Sequence, residues 1–477
     1  MLLAHHKTKI VCTIGPASQS KDMLKQLALN GMSVARLNFA HGEFEGHREV
    51  ISALRETAQS VGKRIAILAD LPGPKMRIGK LEEESIELER GAGFILTTRN
   101  ITGDRNRVSV SLEKLPRVVE PGATIFLNDG FIQLLVEKVE DREVYCKVLV
   151  GGELRSHKGV NVPGIDLGVS AFTDFDRECL RFAADQKIDA VSISFVQGPD
   201  DIADVRAAAA ELGYSPFIIS KIERSRALEN IDEILKATDG VMVARGDLGV
   251  EIPIEEIAIT QKQLIHKANL LGKPIITATQ MLESMVDNRR PTRAEVTDVA
   301  NAILDGADCV MLSEESAMGA FPAEAVAMLA RIAEVTEPRR TIKVVRQDLF
   351  GDVSENKIGV QGMVALNISY SVEHLSPLFV ITPTKTGATS RRVSRFRLPV
   401  WILALSRYES TCQTLQFSYG VHGICVTDNF GSWETCARNV MKDQGVAKGL
   451  VIMTQGPPSE KEGGTNSMKI LDLSEES

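Results

Sequence analysis

Three apolar runs in this chain each end in residues that can do chemistry, at the same relative position. They are Phe217-Ile218-Ile219-Ser220-Lys221-Ile222-Glu223, Val241-Met242-Val243-Ala244-Arg245-Gly246-Asp247 and Ile275-Ile276-Thr277-Ala278-Thr279-Gln280. Each reads as a buried strand that delivers charge or hydroxyl at its C-terminal end. In a parallel barrel all such ends open on one face, so these groups can meet. A lysine, two carboxylates and a threonine brought together point to metal-assisted chemistry on an anion.

Glu223 and Asp247 are the candidate metal ligands. Hard carboxylate oxygens suit Mg²⁺ or Mn²⁺, which keep several waters and take further oxygens from a substrate. Lys221 is a fixed cation beside them, able to stabilise a developing oxyanion or a transferring phosphoryl group. A Schiff-base lysine is the rival role. Thr279 can orient a proton or a water at the same face. Arg36 and Asn38 alternate to one side of another strand end, where an arginine fork can grip phosphate. Lys75 and Arg77 follow a third strand end, and Lys158 lies where a lid could carry it over the mouth. In Ser313-Glu314-Glu315-Ser316 the hydroxyl and carboxylates can relay protons, or can cap a helix. Farther on, Thr382 to Ser390 joins a strand to a helix with several hydroxyls, the ingredients of an anion site. No Gly-x-Gly-x-x-Gly or Walker-type phosphate loop occurs.

The elements that must position these groups follow a rhythm. Strands are expected at 9–14, 33–38, 64–70, 189–195, 217–221, 240–244, 274–277 and 308–312. Helices are expected at 21–29, 43–60, 176–186, 199–212, 225–237, 255–271, 293–304 and 322–335. Eight of each predict a (β/α)8 barrel, with a doubly wound open sheet as the structural alternative. After the third strand the rhythm stops. A stretch rich in Val, Ile and Thr, cut by Gly-Ala-Gly, Pro-Gly and Asn-Asp-Gly, reads as an all-β insertion. Beyond a charged linker, 337–353, a helix near 356–371 and strands at 378–382, 400–405, 422–426 and 450–454 read as a further α/β domain. The expected division is 1–74 with 168–340 for the barrel, 75–167 for a β-barrel lid, and 341–477 for the last domain. Residues 474–477 are expected to fray.

Composition limits the partners. The 477 residues are 44% hydrophobic and 25% charged, the balance of a soluble globular protein, with a net charge of −8. That balance argues against nucleic acid, and no run approaches the length of a membrane span. The N-terminus does not read as a signal peptide. Seven scattered cysteines fit a reducing cytoplasm and a structural role, and eight histidines without metal spacing argue against zinc.

Taken together, the segments resemble the pyruvate kinase family. The matching stretches are Lys7–Pro16, Arg36-Leu37-Asn38-Phe39, Ser220-Lys221-Ile222-Glu223, Met242–Glu251, Thr277–Met285 and Pro291–Val296. The resemblance covers nearly the whole chain. It implies a barrel, a β-lid inserted after the third strand and a C-terminal regulatory domain. It also implies glycolytic phosphoryl transfer from phosphoenolpyruvate to ADP, giving pyruvate and ATP in the cytoplasm, by a homotetramer. On that resemblance Glu223 and Asp247 hold Mg²⁺ or Mn²⁺, Lys221 stabilises the phosphoryl group, Arg36 and Asn38 hold phosphate, and Thr279 assists at the enolate. Ala244, Arg245 and Gly246 supply backbone amides near the substrate carboxylate. His41, Arg77 and Lys158 lie on the nucleotide side, and Ser313 and Glu315 match positions of a proton relay. Rival readings are a metal-dependent enolate lyase or aldolase on the same barrel, and a catalytically silent sugar-phosphate sensor.

The departures from the family pattern carry their own expectations. Ala40 and Leu71 stand where many members use a Ser and a Thr to bind K⁺, while Asn38 and Asp70 remain; Lys75 stands for a Glu. A Lys75 ammonium can replace the monovalent cation, so no K⁺ requirement is expected, although Pro72 stands where the K⁺-independent branch often has Gln. Glu314 replaces a Gly beside the relay. The loop Thr384-Lys385-Thr386-Gly387-Ala388-Thr389 departs from the family's Ser-Gly form, yet its hydroxyls are expected to hold a sugar-phosphate activator.

Overall fold

The computed structural model describes residues 3–74, 76–128, 130–165, 168, 170–340, 346, 358–427, 431–456 and 464–474. Short apolar-rich runs begin the fold as β1 (Lys9–Thr13), β2 (Met32–Asn38) and β3 (Ala66–Asp70), with β1 and β3 buried along their whole length and β2 buried except at Ser33, Arg36 and Asn38. Near-continuous burial of this kind is what a strand covered on both faces requires.

The chain then leaves for eight strands of the insertion. These are β4 (Ser85–Leu88), β5 (Gly93–Thr97), β6 (Arg107–Ser109), β7 (Thr124–Leu127), β8 (Ile132–Glu140), β9 (Glu143–Val150), β10 (Gly152–Arg155) and β11 (Val160–Asn161). Here burial alternates along each strand, as in β8 and β9, because one face is wet. The strands pair as a six-stranded sheet, β11-β7-β8-β9-β5-β6, and a two-stranded ribbon, β10-β4. Phe94, Leu96, Leu134 and Leu154 share one core between them. By hydrogen bonding this is a sheet packed on a ribbon where a β-barrel was expected.

The return strands are β12 (Ala190–Ile193), β13 (Phe217–Ile222), β14 (Gly240–Ala244), β15 (Ile275–Ala278) and β16 (Cys309–Leu312). With the first three they close an eight-stranded barrel in the order β1-β16-β15-β14-β13-β12-β3-β2, every pairing parallel. The open-sheet alternative is thereby excluded. Helices face the barrel through a shell of Leu, Ile, Val and Ala, while Val11, Leu68, Ile219, Met242, Ile276 and Met311 fill its interior. One residue of that interior comes from far along the chain: Phe417, fully buried, lies in the barrel core and stacks on Phe217 at 5.6 Å between ring centroids.

Around the barrel, three departures from the expected helices bear on the site and its neighbours. The single helix expected over 225–237 is two, Ser225–Glu229 and Ile231–Ala237. Asn230 between them sits at φ −99°, ψ 16° and donates its side chain to the Gln197 carbonyl at 2.8 Å, a competitor to helical bonding. A helix not foreseen, Arg245–Glu251, starts directly from the end of β14. The expected start at 255 is a short 3₁₀ turn, Ile254–Glu256, before the helix Ile257–Leu271.

The last domain forms a five-stranded sheet from β17 (Phe379–Pro383), β18 (Trp401–Ser406), β19 (Val421–Cys425), β20 (Leu450–Gln455) and β21 (Ser467–Asp472), in the order β19-β18-β17-β20-β21. β21 was not expected; it pairs antiparallel at the edge, with Leu471 its one buried residue. The helix expected near 356 runs Val360–Leu375. Most of the charged linker, Asn356 and residues 475–477 lie outside the described residues.

The last domain is clamped to the barrel floor. Asp308 accepts from Arg397 with both oxygens, at 2.7 and 2.6 Å, and from the amides of Tyr419 and Ile275. Both members of this ion pair are about 5% exposed or less. Lys9 donates to the Val421 carbonyl at 2.7 Å.

Candidate active site

At the barrel mouth the strand register sets side chains in a ring. Thr13 pairs with Arg36, Asn38 with Asp70, Asp70 with Ser192, and Ala244 with Ala278. The Arg36 guanidinium donates to Asp70 Oδ2 (3.1 Å from Nε) and to the Thr13 hydroxyl (2.8 Å). The other Asp70 oxygen takes the Ser192 hydroxyl at 2.5 Å and faces Lys221 Nζ at 3.5 Å. Lys221 completes its shell with Glu223 Oε1 and the Ser194 hydroxyl, both at 2.8 Å. Ser194 in turn donates to the Leu71 carbonyl at 2.7 Å.

This alternation of charge fixes protonation states. Burial works against the Lys221 ammonium, but Asp70 and then Glu223 outweigh it and raise the lysine above its ordinary range. Burial alone would raise Asp70; the charges of Lys221 and Arg36 and the Ser192 hydroxyl hold it well below the usual carboxylate range. The site therefore presents a cation whose charge is secured by two carboxylates, the opposite of the lowered pKa that a Schiff-base lysine needs.

Glu223 is 1% exposed, with its second oxygen accepting the Phe195 amide at 2.7 Å. Phe195 holds φ +57°, a left-handed backbone that aims this amide at the carboxylate. Asp247 is half-buried in the first turn of the helix Arg245–Glu251, an orientation the unforeseen helix provides. Among the described residues no three His, Cys, Asp or Glu side chains gather into a full protein cage. Two hard carboxylates without such a cage fit a divalent ion that keeps water and borrows substrate oxygens.

Thr279 and Gln280 hold φ +66° and +52°, costly for a β-branched residue. The surroundings enforce it. Thr279's hydroxyl donates to the Ala278 carbonyl at 2.7 Å and accepts the Gly246 amide at 2.9 Å. The Arg245 guanidinium donates to the carbonyls of Thr279 (2.7 Å) and Ala278 (3.2 Å) and pairs with Asp298. Of the expected trio, Ala244 is buried at the strand end, Gly246 lends its amide to Thr279, and Arg245 has a side chain committed to this clamp.

The remaining candidates divide. Asn38 accepts the Ala40 amide in its own turn, and the His41 carbonyl faces His47. Arg77 donates to the His157 carbonyl and Lys158's carbonyl accepts the Ile78 amide, so both sit on the paired hinge of the insertion. Ser313 and Glu315 are together, but the Glu315 carboxylate accepts the amides of Ser313 (2.7 Å) and Leu282 (3.0 Å) and is 2% exposed. Burial raises Glu315 despite those bonds. The Ser313 side chain makes no cap hydrogen bond to the helix Glu314–Ala317. Lys75 lies outside the described residues.

In the last domain, Gly387 (φ +82°) opens the short helix Ala388–Ser394. The Thr384 hydroxyl accepts the Gly387 amide, Thr389 bonds Thr465, Lys385's carbonyl takes Thr411, and Thr386's takes Arg391. The Thr384 and Thr389 hydroxyls thus have internal partners. Missed from the sequence were Ser192, Ser194, Thr13 and Asp298. The spacing Ser192-Ile193-Ser194, period two at a strand end, was the available signal for two of them.

A barrel with a secured cation, two hard carboxylates and a strained hydroxyl at its C-terminal mouth defines an enzyme working on an anion. Comparison with known proteins is specific. The model of the pyruvate kinase barrel domain matches residues 5–326, and that of the pyruvate kinase alpha/beta domain matches 363–471. A pyruvate kinase of Thermococcus litoralis is 46% identical over 476 residues, 99% of this chain and 100% of that one. A pyruvate kinase of Clostridium acetobutylicum is 39% identical, covering 97% of this chain and 99% of its own. A crystal structure of a pyruvate kinase from Cryptosporidium parvum superposes with a TM-score of 0.92 at 36% identity, covering 98% of this chain and 96% of that one. The chain belongs to the pyruvate kinase family and is a phosphotransferase. The lyase and silent-sensor readings are not favoured.

Proposed function

We propose that the mouth transfers the phosphoryl group of phosphoenolpyruvate to ADP with Mg²⁺ or Mn²⁺ and without K⁺. The observation that carries this reading is Lys221, an ammonium fixed by Asp70, Glu223 and Ser194 at one strand end. In the reaction the bond from phosphorus to the enol oxygen breaks and a bond to the ADP β-phosphate oxygen forms. The enolate left behind takes a proton at carbon to give pyruvate. Lys221 and Arg36 neutralise charge on the phosphoryl oxygens, and they are already oriented before substrate arrives. Glu223 and Asp247 would hold the divalent ion, which supplies charge neutralisation and a template for phosphate and enolate oxygens. On substrate binding the Gly246 amide passes from the Thr279 hydroxyl to the substrate carboxylate, and the freed Thr279 hydroxyl faces the enolate.

The insertion closes the nucleotide side. Its return hinge already reaches the barrel, where Glu251 takes the Gly164 backbone and pairs with Arg224. His41, Arg77 and Lys158 serve ADP there, with Asn38 at their edge. Glu315 shapes the proton-delivery side by holding the amides of Leu282 and Ser313. We assign residues 1–74 with 168–340 to catalysis, 75–167 to the lid and 341–477 to regulation by a sugar phosphate, in a cytoplasmic homotetramer. Among the described residues no helix is long and apolar enough to cross a membrane.

The test is formation of ATP and pyruvate from phosphoenolpyruvate and ADP, with and without divalent metal. Equimolar ATP and pyruvate that vanish on chelation support the reading. Pyruvate with inorganic phosphate and no ATP would mean hydrolysis and would overturn the reading.

A further inference from the structure

Of the seven cysteines six are buried, and one, Cys425 at the end of β19, is exposed. The buried Cys412 lies beside it, on the short helix Glu409–Thr414. We propose that these two form a redox modification site, in which Cys425 reacts with a small-molecule disulfide and Cys412 resolves the adduct into an intrachain disulfide.

The backbone brings the pair together. Side chains alternate along a strand, so Val421, Gly423 and Cys425 share one face of β19, and His422 and Ile424 the other. Ile424 packs with Cys436 and Met441 of the helix Trp433–Asp443, while Val421 packs with Leu415, the residue after the helix Glu409–Thr414. Cys425 therefore projects toward the helix that carries Cys412. Gly423 is where that helix touches the strand: a Cβ there would stand 2.8 Å from the Cys412 Cα and 2.9 Å from its Cβ. Only glycine admits so close an approach. The two thiols are near enough to act on each other, Cys412 lowering Cys425 and Cys425 raising Cys412.

In the first step the Cys425 thiolate attacks one sulfur of the reagent, whose S–S bond breaks to release a thiol. Cys412 then loses its proton and attacks the Cys425 sulfur, and the second thiol leaves. Two cysteines are oxidised and one reagent disulfide is reduced. Exposure sets the order, since Cys412 is sealed from solvent.

The surroundings favour the oxidised pair. Burial and then the Glu409 carboxylate raise Cys425, partly offset by Arg64 and Cys412. Burial pushes Cys412 up to about 12. Neither thiolate is stabilised, the reverse of what makes a disulfide strongly oxidising, so the bond holds once formed. Formation is accordingly slow at neutral pH and quickens as pH rises. The bond ties down a helix with two other duties: Glu409 pairs with Arg64 just before β3, and Thr411 donates to the Lys385 carbonyl.

The experiment uses the full chain, reduced, freed of reductant and incubated at pH 8 with oxidised glutathione. Samples are blocked with N-ethylmaleimide and followed by intact mass and peptide mapping. The expected product is lighter by two hydrogens, has the Cys412 and Cys425 peptides joined, and reverts with dithiothreitol. Cys412→Ala should stop at one glutathione on Cys425. Cys425→Ser, a change at the surface, should take up none there and form no bridge. A wild-type chain that keeps its glutathione on Cys425 overturns the proposal. So does one that takes up none and forms no bridge, or a bridge that survives in Cys412→Ala.

Discussion

Arg245 holds the main chain of Thr279, donating to its carbonyl at 2.7 Å, while the amide of the next residue, Gly246, donates to the Thr279 hydroxyl at 2.9 Å. The end of one strand and the start of the neighbouring helix are thus locked as a unit. Releasing the lock should let Thr279 relax from φ +66° toward an ordinary backbone. Arg245→Met is expected to lower kcat by about 10²-fold, the usual effect of a small misplacement of reacting groups. Asp298→Asn, which only weakens the anchor of Arg245, should cost about tenfold or less. Steady-state kinetics with matched circular dichroism spectra check both, and a wild-type kcat in Arg245→Met refutes the strain argument.

Lys221→Met should reduce kcat by about 10²–10³, in line with loss of one preorganised electrostatic contact. Its partner Asp70 gives a pH signature. Asp70 has a folded-state pKa held below its unfolded value, so its contribution is present above about pH 3.9 and is lost as pH falls below that. Asp70→Asn should therefore destabilise the protein at neutral pH, and the gap to wild type should narrow on acidification. Urea unfolding at pH 7 and at about pH 2 to 3, below the unfolded value, measures the gap; one that widens in acid contradicts the assigned charge state.

Asp189 behaves in the opposite sense. Burial raises it to about 6, even though it accepts the Ile67 amide. The unfolded chain ionises first, so stability falls as pH rises from about 4 to 6 and stays reduced above. Asp189→Asn can keep the amide bond without the charge. It should gain roughly 1 kcal/mol at pH 8, since partial exposure screens the penalty. No gain at pH 8 in a denaturant titration would show that the carboxylate is well compensated.

On the proposed K⁺-independent reading, removal of K⁺ should leave turnover within about twofold, and a Lys75→Met variant should acquire a monovalent-cation requirement. Strong activation of the wild type by added KCl defeats this assignment.

Sugar phosphates should lower the half-saturating concentration of phosphoenolpyruvate, and Thr384→Ala/Thr389→Ala should abolish that response. The two hydroxyls must leave Gly387 and Thr465 to bind phosphate, so the variant should keep its basal rate. Activation unchanged in the double variant rejects the loop as the effector site.

The barrel and the placement of Lys221, Glu223, Asp247 and Thr279 were legible because strand periodicity and strand ends are local signals. What escaped depends on pairings across long separations. Asp298 is 53 residues from Arg245, and Asp308 is 89 from Arg397. β21 escaped because an edge strand with one buried residue carries little apolar pattern. The helix Arg245–Glu251 escaped because Gly246 and Gly249 read as a loop, whereas the strand feeds straight into it.

Phe417 sits at the floor of the barrel among residues contributed by its strands, more than 100 positions beyond Cys309 in the last of them. The barrel is therefore a vessel whose stopper is made last. During synthesis all eight staves can be present while the bottom is still open, with Asp308 lacking Arg397 and Phe217 lacking its stacking partner. A nascent chain stopped before Phe417 would expose that opening to the cell, so the final third of the polypeptide decides when the catalytic core becomes a sealed object.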